Sequence, residues 1–161
     1  MADILRKRRK ASYLLSLFIT FVLLSACGES GESNNRSLNY GQLLAEESTG
    51  GAPNLEVYRV FEQGEFEEKW EYFKLSTTMP SVDWEESAVL FIATNESSSC
   101  PIEIETIDIN SSNKAIHFQI EDISGFCNDD ANPKTFVIEM ERSVIEETEQ
   151  IKLGAETAEI Q

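Results

Sequence analysis

Histidine occurs once in this 161-residue chain, at position 117, and cysteine three times, at positions 27, 100 and 127. With so few imidazoles and thiols no common zinc spacing can be built. A hydroxyl nucleophile would have a single histidine to activate it. Glycine-rich phosphate loops, dinucleotide-binding glycine patterns and internal repeats are all missing. Basic residues are scarce too: 13 Lys and Arg stand against 29 Asp and Glu, for a formal net charge of −16. Nucleic acid is therefore not an expected partner, because binding it needs a basic face to replace the phosphate counterions.

Long apolar runs are absent with one exception. Arg6, Lys7, Arg8, Arg9 and Lys10 form a basic block, and the uncharged stretch from Ala11 to Ala26 that follows is rich in Leu, Phe, Ile and Val. This is the layout of an export signal. A membrane-spanning helix is the competing reading, but Ala11 to Cys27 falls short of the roughly 20 apolar residues that cross a bilayer comfortably. The stretch ends in Leu24, Ser25, Ala26 and Cys27, which resembles the lipobox of bacterial lipoproteins. The resemblance implies a diacylglycerol on Cys27, cleavage before it, and a chain held at the extracytoplasmic face of a bacterial cell membrane. Two acyl chains suffice for stable anchoring where one does not.

Cleavage would sharpen the composition. Five basic residues and Asp3 leave with residues 1–26, so 8 basic and 28 acidic residues remain and the formal charge becomes −20. Such acidity suits solubility at an anionic envelope, and a cationic partner or Ca²⁺ is the functional counterpart. Lipidation of Cys27 leaves Cys100 and Cys127 as one pair, expected to bridge in an exported domain. A loop of that length is worth about 3.5 kcal/mol in the chain-entropy account.

Residues 27–54 are dominated by Gly, Ser, Asn and Glu, with Gly50, Gly51 and Pro53 near the end. They read as the lipidated cysteine and a flexible tether, reaching on the order of 25 Å. The apolar cluster Leu38, Tyr40, Leu43, Leu44 leaves open a short element docked on the domain. Residues 55–161 read as one folded domain. Leu55 to Phe61 alternates as a strand, and Phe66, Trp70 and Phe73 then fall on one face of an amphipathic helix. Ala88 to Ala93 is apolar on both faces, as a central strand covered on both sides would be. Ile102 and Ile104 share one face while Ile107 and Ile109 share the other, so the slip near Glu105 and Thr106 predicts a bulge. Asn110 to Asn113 is turn chemistry before an alternating strand from Ile116 to Ile120. A further strand follows at Phe136, Ile138 and Met140, then a helical turn or loop near Glu146 and a last edge strand around Gln150 to Ile160. The expected fold is α+β or mainly β, with one helix packed on a twisted antiparallel sheet or small sandwich and one disulfide.

Two loops carry the candidate chemistry, and the disulfide brings them to one end of the sheet. Ser97, Ser98 and Ser99 precede Cys100, but alternation puts His117 on a solvent-facing strand position, so hydrolysis is the least favoured reading. Asn128, Asp129, Asp130 and Asn132 supply hard oxygens of the kind Ca²⁺ prefers, without EF-hand spacing; the same residues crowd turns for local hydrogen bonding. No metal ligand set, other cofactor or catalytic residue is assigned.

Trp70, the segment Pro80, Val82, Asp83, Trp84, and the aliphatic strand from Val89 resemble the protease complex subunit PrcB family over residues 57–142. The chain departs from that family at Asn95 to Ser99, where the family has a glycine-rich loop. Its Ser, Ser, Cys, Pro loop is closer to a cysteine-bearing lipoprotein branch of Gram-positive bacilli. The resemblance implies a non-catalytic extracytoplasmic module that assists or contacts a protease. Ser97, Ser98, Ser99, Asn128, Asp129 and Asp130 are the expected contact rim, loops on a rigid scaffold being the usual place for recognition. A small-solute or Ca²⁺-binding lipoprotein is the alternative.

Overall fold

Ala88 to Ala93 of β4 (Ser87–Glu96) are apolar on both faces of the strand, and both faces are covered. In the computed structural model, which describes residues 36–121 and 125–161, this strand pairs along its whole length with β7 (Asn132–Glu141). The export segment and Cys27 lie outside the described residues. Around the pair, β1 (Arg36–Leu38), β2 (Gly41–Glu47) and β3 (Glu56–Val60) complete a five-stranded antiparallel sheet in the order β1-β2-β7-β4-β3. A four-stranded sheet of β5 (Ile104–Asn110), β6 (Ala115–Ile120), β8 (Gln150–Leu153) and β9 (Glu156–Glu159) packs against it in that order. The fold is thus mainly β, a sandwich with helix α1 (Gln63–Tyr72) on its outer side and a short helix α2 (Arg142–Glu147) between β7 and β8. Among the described residues no helix is long and apolar enough to cross a membrane.

Alternation along the central strands divides the core in two. Leu90, Ile92, Phe136 and Ile138 point into the space between the sheets, where they meet Ile104, Ile107, Ile116, Phe118 and Ile151. Val89, Phe91, Ala93 and Val137 point the other way, onto Phe66, Trp70 and Phe73 of the helix and its end. The helix closes with Lys74 in the left-handed region (φ 55°), its N–H on the Glu71 carbonyl and the Leu75 N–H on that of Trp70. That is the hydrogen-bond pattern in which glycine more often ends a helix.

Three expectations need correction. Residues 36–54 are not a free tether, and the domain does not begin at residue 55. Strand β2 lies between β1 and β7 and buries Leu43, Leu44 and Ala45. The paired glycines that suggested flexibility serve tight fit instead. Gly50 adopts φ 62°, and a Cβ on Gly51 would lie 2.3 Å from the Thr94 carbonyl oxygen. The tail is not one edge strand but a hairpin, β8–β9, turned at Gly154 (φ 56°), and β8 is an inner strand. Finally, β8 runs parallel to β6, so the second sheet is mixed rather than antiparallel. A parallel neighbour needs a crossover, and β7 with α2 provides it. The slip expected near Glu105 is present as a register shift between Ile104 and Thr106.

One edge of each sheet is partly capped among the described residues. Asn39, in the β1–β2 turn, donates to the Ile107 carbonyl and accepts from the Ile107 N–H, both at 2.7 Å, so one side-chain amide stands in for a strand along β5. Arg36 adds a bond to the Ile104 carbonyl at 2.9 Å. On the other side the chain end covers β3, with Gln161 N–H on Val57 O and Arg59 N–H on Gln161 O. Such capping shortens the unpaired rows that invite edge-to-edge association.

One buried cation sits where the inter-sheet core meets the loops. Lys134, 7% exposed, lies 2.7 Å from Glu46 and 3.5 Å from Glu96, while Glu96 also accepts the Ile102 N–H at 2.8 Å. Removing one partner from such a group leaves uncompensated charge, which costs more than the group's net worth. Lys134→Met should lower stability by about 3 kcal/mol in urea unfolding, and adding Glu46→Gln and Glu96→Gln should recover most of the loss. If Lys134→Met alone left the urea midpoint unchanged, the triad would have no such role.

Candidate functional site

Glu96 pairs with Asn132 at the last rung of the β4–β7 ladder, and just beyond it the two loops leave side by side. Ser97 to Cys100 folds into a tight turn, with the Cys100 N–H on the Ser97 carbonyl at 3.1 Å. Cys100 and Cys127 are bonded, with Cα atoms 5.6 Å apart across a sequence separation of 27. The bridge thus joins segments that the ladder has already made neighbours.

Most of the predicted rim is brought together here, but its polar groups turn toward each other. Asp130 accepts from the Ser97 hydroxyl at 3.1 Å and the Ser98 N–H at 3.0 Å on one oxygen, and from the Asn132 amide at 3.1 Å on the other. Asn128 donates its N–H to the Ser99 hydroxyl at 2.9 Å and its side-chain amide to the Ser98 hydroxyl at 3.2 Å. Ser97, Ser98, Ser99, Asn128 and Asp130 therefore form a clamp between the loops. Asp129 stands outside it.

The hydroxyls have no histidine among their partners. His117 lies on the outer face of the four-stranded sheet, half-buried rather than simply facing solvent, and its ring holds a structural position. Its Nε2 faces the Gly154 carbonyl at 3.1 Å and Nδ1 faces the Gln119 amide at 3.0 Å. A carbonyl only accepts, so the proton sits on Nε2 and Nδ1 accepts from Gln119. The Gln119 amide also donates to Asp108 at 2.8 Å, completing a chain across β5, β6 and the β8–β9 turn. Among the described residues no group of three His, Cys, Asp or Glu side chains converges as a metal site would require.

One residue absent from the predicted rim stands out at its tip. Phe126, immediately before Cys127, is fully exposed; among the described residues the other large exposed apolar side chains are Tyr40 and Tyr72. The available signal was an aromatic set between Gly125 and a cysteine, outside any alternation. The chain matches no family model, no curated protein and no solved structure with which it was compared.

The clamp should be sensitive to acid. Hydrogen bonds from Ser98 first, then from Asn132 and Ser97, hold the Asp130 carboxyl down to about 2 from its ordinary 3.8. A depressed carboxyl contributes stability that is present above its unfolded value and lost as pH falls through its folded one. The clamp is therefore complete above about pH 4 and released as pH approaches 2. An NMR titration should show the Asp130 carboxyl and the Ser98 N–H moving together with a midpoint near 2, and Asp130→Asn should abolish the step. A midpoint at the ordinary value would mean that the clamp does not form in solution.

Proposed function

We propose that this chain is a lipid-anchored extracytoplasmic lipoprotein whose domain is a non-catalytic protein-interaction module. It would meet its partner through the stapled loops at the end of the β4–β7 ladder. The observation that carries the reading is Phe126, fully exposed beside a cysteine held in a disulfide. Large aromatic side chains on a fixed frame are typical anchors of interfaces, because they bury much area at little entropic cost. The contact set is revised accordingly. Ser97, Ser98, Ser99, Asn128 and Asp130 shape the loops, and Phe126 and Asp129 are the groups left to touch a partner.

The formal charge of −20 after removal of residues 1–26 favours a partner with a basic rim around an apolar pocket. The resemblance to the PrcB family supports a protease, or a protein associated with one, as that partner. Attachment through Cys27 would place the rim just outside the membrane.

Binding of a small solute is the second reading. A depression of about 730 Å³ lies over the outer face of the four-stranded sheet, lined by Asp108, Asn110, Ser112, His117 and Lys152 among others. It is polar and open, unlike the enclosed and mostly apolar pockets that hold small molecules. Ca²⁺ binding in the Asn128–Asn132 loop is weaker still, because Asp130 already directs both oxygens to protein donors.

A photo-crosslinking residue placed at 126 in membrane-bound protein should give one defined adduct that the same residue at 152 does not give. Phe126→Ala should reduce recovery of that adduct from a crosslinker at 129, with the fold unchanged. Equal adducts from positions 126 and 152 would refute the rim. A rise in melting temperature with small solutes, lost in His117→Ala, would favour the second reading.

A further inference from the structure

Donor and acceptor roles in the polar chain from Asp108 to Gly154 are fixed from both ends. An ionised carboxylate only accepts, so the Gln119 amide turns its Nε2 to Asp108, at 2.8 Å. A carbonyl also only accepts, so the ring of His117 carries its proton on Nε2, 3.1 Å from Gly154 O. Between these ends the same Gln119 Nε2 lies 3.0 Å from His117 Nδ1, a contact that is attractive only while Nδ1 holds a lone pair. The neutral ring is therefore fully satisfied, with one nitrogen donating and the other accepting.

A second proton breaks that arrangement. It sits on Nδ1 and points at an N–H group, donor against donor. Rotating the Gln119 amide to offer its oxygen would satisfy the ring but set that oxygen against the Asp108 carboxylate. The other acceptor at hand is the carboxylate itself, because Asp108 and His117 stand directly opposite in the β5–β6 register, where facing side chains come within reach. We propose that His117 is a proton-driven switch on the outer face of the four-stranded sheet. The neutral ring takes the Gln119 amide, and the charged ring takes Asp108 and expels the amide. The only chemistry is uptake of one solvent proton on Nδ1.

The neighbouring charges single out Asp108 as the acceptor. On β5, Glu105 lies in the register shift without a partner on β6, whereas Asp108 faces the ring. From β8 the ring meets Lys152, its partner in the parallel register. Strand β9 brings Glu156 opposite Leu153, Thr157 opposite Lys152 and Glu159 opposite Gln150, one strand further away. Glu121 follows the end of β6 itself. Asp108, His117 and Lys152 line one depression, and their formal charges cancel while the ring is neutral, leaving one positive charge when it is not. Histidine is the side chain whose ordinary range places such a change between about pH 5 and 8. Acid thus makes this face locally cationic on a chain of formal charge −16. The inference depends neither on the lipid anchor nor on what the rim binds.

The test is an NMR titration of the isotope-labelled full-length chain in detergent micelles, from about pH 8 to about pH 5. The probes are the His117 ring nitrogens, the Gln119 side-chain NH2 and the Asp108 carboxyl. At the alkaline end the ring should show its proton on Nε2. As the ring charges, the Gln119 and Asp108 signals should shift in the same step, with one shared midpoint. Gln119→Glu offers Nδ1 an acceptor and should move the ring's step to higher pH, while Asp108→Asn removes the charged acceptor and should move it to lower pH. Neither side chain is buried, so both variants keep the core. The proposal is overturned by a proton on Nδ1 at the alkaline end, by a ring that charges without moving the Gln119 NH2, or by variants that leave the step in place.

Discussion

The β4–β7 ladder is the constraint from which the rest of the structure follows. Its strands pair from Ser87 with Glu141 to Glu96 with Asn132, and they sit between covers on both faces. Because alternate side chains of a strand point to opposite sides, one continuous apolar run supports two cores at once. Leu90 and Ile92 hold the second sheet, while Val89 and Phe91 hold α1. The far end of the same ladder releases both loops of the candidate site. The disulfide, the Asp130 clamp and the exposed Phe126 are therefore consequences of strand register rather than independent inventions of the loops.

Closure depends on individual polar groups placed where strands run out. A single amide, Asn39, occupies both hydrogen-bonding positions of Ile107 on the edge of β5, and the terminal residue Gln161 does the same work for β3. At the loop end, Lys134 with Glu46 and Glu96 occupies the space that an apolar core would otherwise have to fill. Such groups add little net stability, but they penalise any alternative register that would leave one of them unpaired.

The readable parts of the sequence were those where one period dominates. Phe66, Trp70 and Phe73 mark α1, Ala88 to Ala93 marks β4, and the phase slip at Glu105 marks the irregularity in β5. The pairing of Cys100 with Cys127 was legible only through the expectation that Cys27 carries lipid. What stayed hidden depended on distant neighbours. Strand β2 is apolar only over its middle, and the glycines beside it looked like linker because nothing local reveals that Gly51 abuts Thr94 and Pro133. The parallel placement of β8 beside β6 is likewise a tertiary choice. At the site, the identity of the rim loops was legible, whereas the inward direction of the serine hydroxyls was not. Phe126 belongs to no periodic pattern, so nothing in the local sequence marks it.

If the ladder organises the fold and the staple only fixes the loops that leave it, the two should separate by hydrogen exchange in the reduced protein. Amides of Leu90, Phe91, Val137 and Ile138 should remain the slowest to exchange after reduction, while the Ser98 and Asn128 amides should become fast. Ladder amides that exchange as quickly as the loops under the same native conditions would contradict the account.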